Sequence, residues 1–112
     1  MEACEDDKMK YMMKVHEVVR YGIREVIVAL CDPELVGRTL KEGEVEFFVN
    51  PRFYEGELVG EEEAKSWLER ATIANFVGKN SVELGIKAGL VDPENVKHIG
   101  KVAHAQMVIM LE

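Results

Sequence analysis

The stretch that decides the fold is TIANFVGKNSVELGIKAGL, residues 72–90. Its first part is mostly apolar and contains β-branched side chains, which favours a short buried strand over 72–77. Apolar residues then recur at helical spacing, which predicts a helix over 81–88 that ends at Gly89. A strand followed directly by a helix indicates a sheet with helices packed on it. The turn between them, Gly78-Lys79-Asn80-Ser81, raises the question of whether it binds an anion.

This turn has two interpretations. In the first, Lys79 adds a cation to the free amides of a helix N-terminus, and the loop holds a phosphorylated ligand. The Walker motif is absent, however, because Ile73 stands where its first glycine belongs and Asn80 where Ser or Thr would hold magnesium. In the second, Asn80 is the helix N-cap, Glu83 completes a capping box, and Gly78 only relaxes the turn. The second interpretation explains more of the pattern.

A β-hairpin is expected at the start of the chain. Residues 11–20 and 23–31 are rich in strand-forming side chains and flank Tyr21-Gly22, whose glycine supplies the positive φ of a tight turn. The clearest helix covers 61–71, where three glutamates form the first turn and apolar residues follow at helical spacing. Further strands are expected over the following ranges: 44–49, 96–99 and 103–111, the last of them at a sheet edge.

The remaining segments are interpreted as turns and loops. Residues 52–60 are predicted to form a loop, and Lys41-Glu42-Gly43 a turn. Asp32-Pro33-Glu34 and Asp92-Pro93-Glu94 each predict one helical turn, with the aspartate as its own N-cap. Gly85 lies in mid-helix, where glycine costs about 1 kcal/mol relative to alanine, so we expect it to pack closely against another backbone.

The predicted fold class is therefore α+β. It comprises an N-terminal β-hairpin, a mixed sheet of about five or six strands and two or three helices. With 112 residues, the chain is expected to form a single domain over 11–112, after a flexible acidic leader over 1–10.

The charge and the apolar runs exclude several classes of protein. The net charge of −7 opposes non-specific binding to nucleic acid, which needs many cations beside phosphates. No apolar run is long enough to cross a bilayer, so no membrane association is expected. The leader lacks the apolar core of a secretory signal. We therefore expect a cytoplasmic protein with free thiols at Cys4 and Cys31.

No motif for catalysis or metal binding is present. The three histidines lack any zinc spacing, and no Gly-x-Ser-x-Gly elbow occurs. We accordingly predict no catalytic residue, no metal and no cofactor, and the sequence favours a protein that is not an enzyme without deciding the matter. His104 and Gln106 would share one side of a strand. Arg52 and Tyr54, with Phe53 between them, suggest an aromatic and basic patch that stacks a base or contacts a partner.

Four runs carry a resemblance to a known family: CDPELVGRTLKEGE, VNPRFYEGELV, ATIANFVGKNSVELGIKAGLVDPENV and IGKVAHAQ. Over about residues 11–111 the chain resembles a small archaeal family of uncharacterised proteins, domain-of-unknown-function family 424. The resemblance implies an archaeal, cytoplasmic, single-domain protein, with a loose expectation of a role in translation or RNA handling. The characteristic polar positions of the family fall on Asn50, Arg52, Tyr54, Thr72, Asn75, Gly78, His104 and Gln106.

Three functional hypotheses follow. The preferred one is a binding or adaptor module for RNA, a ribonucleoprotein or a protein partner, which would use Arg52, Tyr54, Asn75 and His104 on one face. The third-ranked one is a structural homodimer through the C-terminal strand.

The second-ranked hypothesis, and the alternative to the binding module, is an enzyme or sensor for a small phosphorylated ligand. The ligand would lie at Gly78, Lys79 and Asn80, with His104 as acid or base because its pKa lies near neutrality. This hypothesis requires one cleft that gathers Asn75, Asn80 and His104.

Overall fold

The computed structural model describes residues 9–109 and contains eight strands and three helices within that range. The leader, apart from Met9 and Lys10, lies outside the described residues. In chain order the elements are β1 (Tyr11–Arg20), β2 (Ile23–Cys31), β3 (Thr39–Glu42), β4 (Val45–Phe48), α1 (Pro51–Tyr54), β5 (Glu57–Val59), α2 (Glu61–Leu68), β6 (Ile73–Val77), α3 (Lys79–Lys87), β7 (Lys97–Ile99) and β8 (Val102–Val108). Two 3₁₀ turns cover Pro33–Leu35 and Pro93–Asn95.

Six strands form one mixed sheet in the order β5-β1-β2-β6-β8-β7, and β3 pairs with β4 in a separate hairpin. β2 and β6 run parallel, whereas the other neighbours are antiparallel. The α+β prediction is confirmed. The prediction of an edge position for the last strand holds only in part, because β7 folds back through the turn at Gly100 and pairs with β8 from Val102 to His104, whereas the rest of the outer side of β8 has no paired strand among the described residues. No helix among the described residues is long and apolar enough to span a membrane.

Three short elements lie where a turn or a loop was predicted. β3 occupies the residues before Gly43, and α1 and β5 lie within the predicted loop. α1 begins because Asn50 Oδ1 accepts a hydrogen bond from the Arg52 amide at 3.0 Å and Pro51 suits the first helical position. β5 exists only through its pairing with β1, which a local sequence pattern does not reveal.

The sheet is covered on both faces near its centre. On one face, β2 and β6 pack against α2 and α3 through side chains such as Leu30 and Phe76. On the other, α1 and the β3–β4 hairpin enclose a second cluster that includes Cys31 and Tyr54. Burial raises the pKa of the Cys31 thiol to about 12, so this free cysteine is unreactive in the folded protein.

Gly85 does pack closely, but against side chains rather than backbone. A Cβ at this position would lie 2.8 Å from Val91 Cγ2 and 3.0 Å from the Phe76 ring. In Gly85→Ala the gain in helix propensity, about 1 kcal/mol, is outweighed by overpacking, which costs 1–3 kcal/mol. We expect a net loss of roughly 1 kcal/mol in the free energy of unfolding, measured by urea denaturation.

The matched control is the same substitution in a Val91→Ala background. Removing the valine methyls takes away the nearest obstacle, so Gly85→Ala should cost less there than in the wild-type chain. An equal cost in both backgrounds would show that contact with Val91 is not the cause.

Candidate functional site

The amides at the start of α3 are occupied by a carboxylate of the same chain. Asp32 follows β2 and is only 4% exposed. Its Oδ1 accepts hydrogen bonds from the Ser81 amide at 2.9 Å and the Ser81 hydroxyl at 2.8 Å. Its Oδ2 accepts one from the Asn80 amide at 3.1 Å. The groups that would hold a phosphate are therefore engaged by a buried internal anion.

The helix start differs from the sequence prediction. α3 begins at Lys79 with Gly78 as N-cap at φ 107°, so Asn80 is not the N-cap and the capping box with Glu83 is wrong. Asp32 also does not cap its own turn, whereas Asp92 does so through the Glu94 amide at 3.0 Å. Local pattern missed the role of Asp32 because its partners lie 48 and 49 residues away.

Three of the predicted site residues share one face of the sheet. Asn75 lies directly opposite Gln106, and His104 lies opposite Val77. Since Phe76 packs beneath the helices, its neighbour Asn75 points to the opposite face. Asn75 is half-buried and Gln106 is exposed. These residues border the cover formed by α1 and the β3–β4 hairpin.

Asn80 lies on the other side of the molecule, where it lines a cleft between the start of β1, α2 and α3. The sheet separates it from Asn75 and His104. The structure therefore does not form the single cleft that the phosphorylated-ligand hypothesis requires. Gly78 is buried and Lys79 is exposed at the helix start.

Most of the predicted aromatic and basic patch is buried or engaged in contacts within the chain. Tyr54 is buried in the second core cluster, and burial raises its pKa. Phe53 stacks on His16 with ring centroids 4.8 Å apart, and His16 Nε2 donates to the Phe53 carbonyl at 3.0 Å. Lys14 Nζ donates to the Arg52 carbonyl at 2.8 Å. Of the three patch residues, only Arg52 is exposed, so these contacts anchor α1 on β1 rather than present a stacking platform.

Thr72 has a structural position at the point where β6 starts. Its Oγ1 accepts from the Val26 amide at 3.0 Å and donates to the Val26 carbonyl at 3.2 Å. These hydrogen bonds join β6 to β2. They give the Thr72 hydroxyl a structural role, so no ligand is needed to explain its presence.

Beyond α1 and the β3–β4 hairpin, one part of the sheet face carries aliphatic side chains that belong to neither core cluster. We call it the open face. Strand register places Ile27, Ile73 and Val108 in one row across β2, β6 and β8, and Val18 and Ile23 on the projecting hairpin of the same face. Among the described residues, none of these five joins either core cluster. Ile23 is 50% and Val108 56% exposed, whereas the other three are half-buried.

The open face was missed by sequence reasoning. The available signal was the run from Val26 to Cys31, which is apolar at every position. Such a run is typical of a strand buried on both faces, and nothing in it marks where the cover ends.

A model of the family described as "Protein of unknown function (DUF424)" matches residues 20–110. This chain belongs to that family. The resemblance expected from the sequence is thereby confirmed, and the description of the family assigns no activity. The crystal structure of an uncharacterized conserved protein from Methanopyrus kandleri is similar at a TM-score of 0.76 and 23% sequence identity, over 92% of this chain and 95% of that chain. That likeness shows a shared fold alone. No curated protein matches the chain.

His104, one of the predicted site residues, has a perturbed pKa. Its ring lies 5.1 Å from Phe47 at a tilt of 59°, and the residue is half-buried. Burial, and secondarily the charge of Lys97, lowers its pKa below the ordinary 6.5. Within residues 9–109 no group of three or more His, Cys, Asp or Glu side chains is placed to hold a metal ion.

This lowered pKa predicts a pH-dependent stability. Below pH 6.5 the unfolded chain binds a proton at His104 that the folded protein does not, so the free energy of unfolding should fall as the pH drops from 6.5 through the folded-state pKa. In His104→Gln, the free energy of unfolding measured with urea should depend less steeply on pH between pH 7.5 and 5. His98→Gln, an exposed ring on β7, is the control. An unchanged slope in His104→Gln would contradict the assignment.

Proposed function

We propose that this protein is a binding module whose open face docks a protein partner. The observation that carries the proposal is a row of aliphatic side chains outside both core clusters, in which Ile27 and Ile73 are half-buried and Val108 is exposed, extended by Val18 and Ile23. Contiguous, partly exposed apolar surface of this kind marks interaction sites, because burial against a partner removes it from water at about 25 cal/mol per Å².

The border of the open face suits recognition of a polypeptide. Asn75 and Gln106 lie side by side on neighbouring strands, one register step from the aliphatic row. Their amides provide both donors and acceptors, which match the groups of a peptide backbone. An apolar centre with a hydrogen-bonding rim is the usual anatomy of a protein–protein interface.

Charge favours a protein over RNA as the occupant. On the projecting hairpin, this face carries Arg20 and Glu25, whose charges cancel. The one exposed residue of the predicted basic patch is Arg52, and the chain as a whole carries −7. An RNA site needs several cations aligned with phosphates together with free aromatic rings, and this surface supplies neither in the described residues.

The phosphorylated-ligand hypothesis receives no support from the geometry. Asp32 fills the amide cradle at Asn80 and Ser81 with its own carboxylate, and a phosphate placed there would meet that negative charge.

The homodimer hypothesis has one observation in its favour. Val108 and Ile109 are exposed at the end of β8, and β7 covers that strand only from Val102 to His104 within the described chain. The partner experiment must therefore separate a second copy from a different protein.

The test uses Ile23→Asp/Val108→Asp, which places two charges on the open face, and Val45→Asp as control. Val45 is 57% exposed on the β3–β4 hairpin and so matches the substituted residues in exposure. Proteins cross-linked to the wild-type chain in an extract of its source cells are identified, purified and titrated by calorimetry. We expect about a tenfold or greater loss of affinity in the double variant and none in Val45→Asp.

Three results would overturn the proposal. Equal binding by the double variant would exclude the open face. Loss of the captured material on nuclease treatment would point to RNA instead. Sedimentation of the purified wild-type chain as a dimer, with a monomeric double variant, would show that the face joins two copies.

A further inference from the structure

A second surface lies on the opposite side of the sheet, independent of the open face. A cleft of about 1120 Å³ opens between the start of β1, the first turn of α2 and one side of α3. We call it the helix cleft. Its apolar lining includes Leu84 and Ile86 on α3 and Met9 just before β1. An apolar floor of this kind accommodates a hydrocarbon chain.

The helix cleft is lined by a largely buried phenol, Tyr11. This residue is only 4% exposed and forms no hydrogen bond with any described residue. Burial raises its pKa, with a further contribution from Glu61 and a smaller opposing one from Lys87. No buried side-chain oxygen or nitrogen in the described part of the chain lacks a hydrogen-bond partner, so the Tyr11 hydroxyl, which has no such partner, is reached by water. Because Tyr11 lines the cleft, this hydroxyl is available to a ligand that enters it.

The rim of the helix cleft is acidic. Glu62, Glu63 and Glu83 are exposed there, and none forms an ion pair with a described residue. The cations on the same rim are Lys10 and Lys87, and Lys87 is held by Glu61 at 3.0 Å. The negative charges outnumber the positive ones, so the local potential favours a cation.

Asn80 completes the polar lining. Its backbone amide is engaged by Asp32, which fixes the position of the residue at the wall of the cleft. The side-chain amide oxygen of Asn80 and the phenol oxygen of Tyr11 are both acceptors suited to an ammonium N–H.

We propose that the helix cleft binds an aliphatic ammonium group. The methylenes lie on Leu84 and Ile86, the ammonium donates to Tyr11 and Asn80, and the carboxylates of the rim supply the charge. This chemistry has two sources, a free polyamine or the lysine side chain of a polypeptide. The carboxylates alone would bind any cation weakly, so the hydrophobic floor and the phenol provide the selectivity for an alkyl amine.

The probe for the first source is spermidine, followed by amide chemical shifts of the folded protein and by calorimetry. A short lysine-containing peptide with blocked ends is titrated in parallel, and the tighter of the two identifies the source. Octanoate, with a similar chain and the opposite charge, and Mg²⁺ at equal ionic strength are the ligand controls. We expect spermidine or the peptide to shift resonances of the cleft residues, and octanoate and Mg²⁺ not to do so.

The variants are Tyr11→Phe, which removes only the hydroxyl, and Glu83→Gln, which changes an exposed residue and should leave the fold intact. We expect each to weaken binding about fivefold or more. Glu46→Gln, an exposed acid on β4, is the matched control and should bind as the wild type does. Equal weakening by Glu46→Gln, or displacement by Mg²⁺ at equal ionic strength, would show a diffuse counterion effect and overturn the proposal. Absence of cleft shifts with both probes would overturn it as well.

Discussion

Asp32→Ala should lower the free energy of unfolding by about 3 kcal/mol. The substitution leaves the Ser81 hydroxyl and the amides of Asn80 and Ser81 without their acceptor, and Ser81 is fully buried. An unsatisfied buried polar group costs 1–3 kcal/mol and the loss of a helix cap about 1 kcal/mol. Urea unfolding followed by circular dichroism provides the measurement.

The chain contains its own control for this prediction. Asp92 stands in the same Asp-Pro-Glu context but is exposed, and its carboxylate serves only the Glu94 amide. Asp92→Ala should therefore cost no more than about 1 kcal/mol. Similar losses for the two alanine variants would show that the long-range cap of α3 contributes nothing beyond an ordinary local cap.

The contrast between these two aspartates shows what the sequence could predict. The hairpin, α2, α3, β6 and β7 follow from apolar periodicity and turn residues, and the structure confirms them. Identical local patterns around Asp32 and Asp92 predicted identical caps. Their roles differ because β2 and β6 pair in parallel and bring the end of one strand beside the helix that follows the other. Local pattern contains no information about that pairing.

The candidate sites were predictable to a smaller extent. The family resemblance implied a set of polar positions that includes Asn75, Gln106 and His104, and these three do share a face. It did not distinguish Ile27 on the open face from Ala29 under α1, because both belong to one continuous apolar run. The cover over Ala29 comes from residues that follow more than 20 positions later in the chain, so exposure at Ile27 depends on tertiary structure.

The turn at residues 78–81 shows both what local sequence pattern predicts and what depends on tertiary structure. Helix amides with a glycine before them do attract an anion, as the sequence suggested, and the anion is Asp32. Glycine is required at position 78 for two reasons: the Asp32 side chain lies too close for a Cβ, and the backbone has a positive φ. The Gly78 conformation, φ 107° and ψ 152°, is one that only glycine adopts without strain.

Gly78→Ala should consequently be more damaging than Asp32→Ala. The added Cβ would overlap the Asp32 carboxyl carbon and lie 2.5 Å from Oδ2 and 2.7 Å from Cβ. Backbone strain of 1–3 kcal/mol adds to overpacking of 1–3 kcal/mol, which gives an expected loss of roughly 4 kcal/mol in the free energy of unfolding. Urea unfolding measures this loss as well, with amide spectra to establish that the folded state persists.

Two comparisons separate strain from overlap. Gly22→Ala, at φ 77° in the hairpin turn with no atom within 4 Å of the new Cβ, reports strain alone and should cost less than Gly78→Ala. In the Gly78→Ala/Asp32→Ala double variant the carboxyl group that overlaps the new Cβ is gone, although the Cβ at position 32 remains close. The double variant should therefore lose less than the sum of the single variants, with a coupling of about 1 kcal/mol or more. Additive losses would mean that Gly78 and the Asp32 carboxyl act independently, and that the glycine is required for its backbone conformation alone.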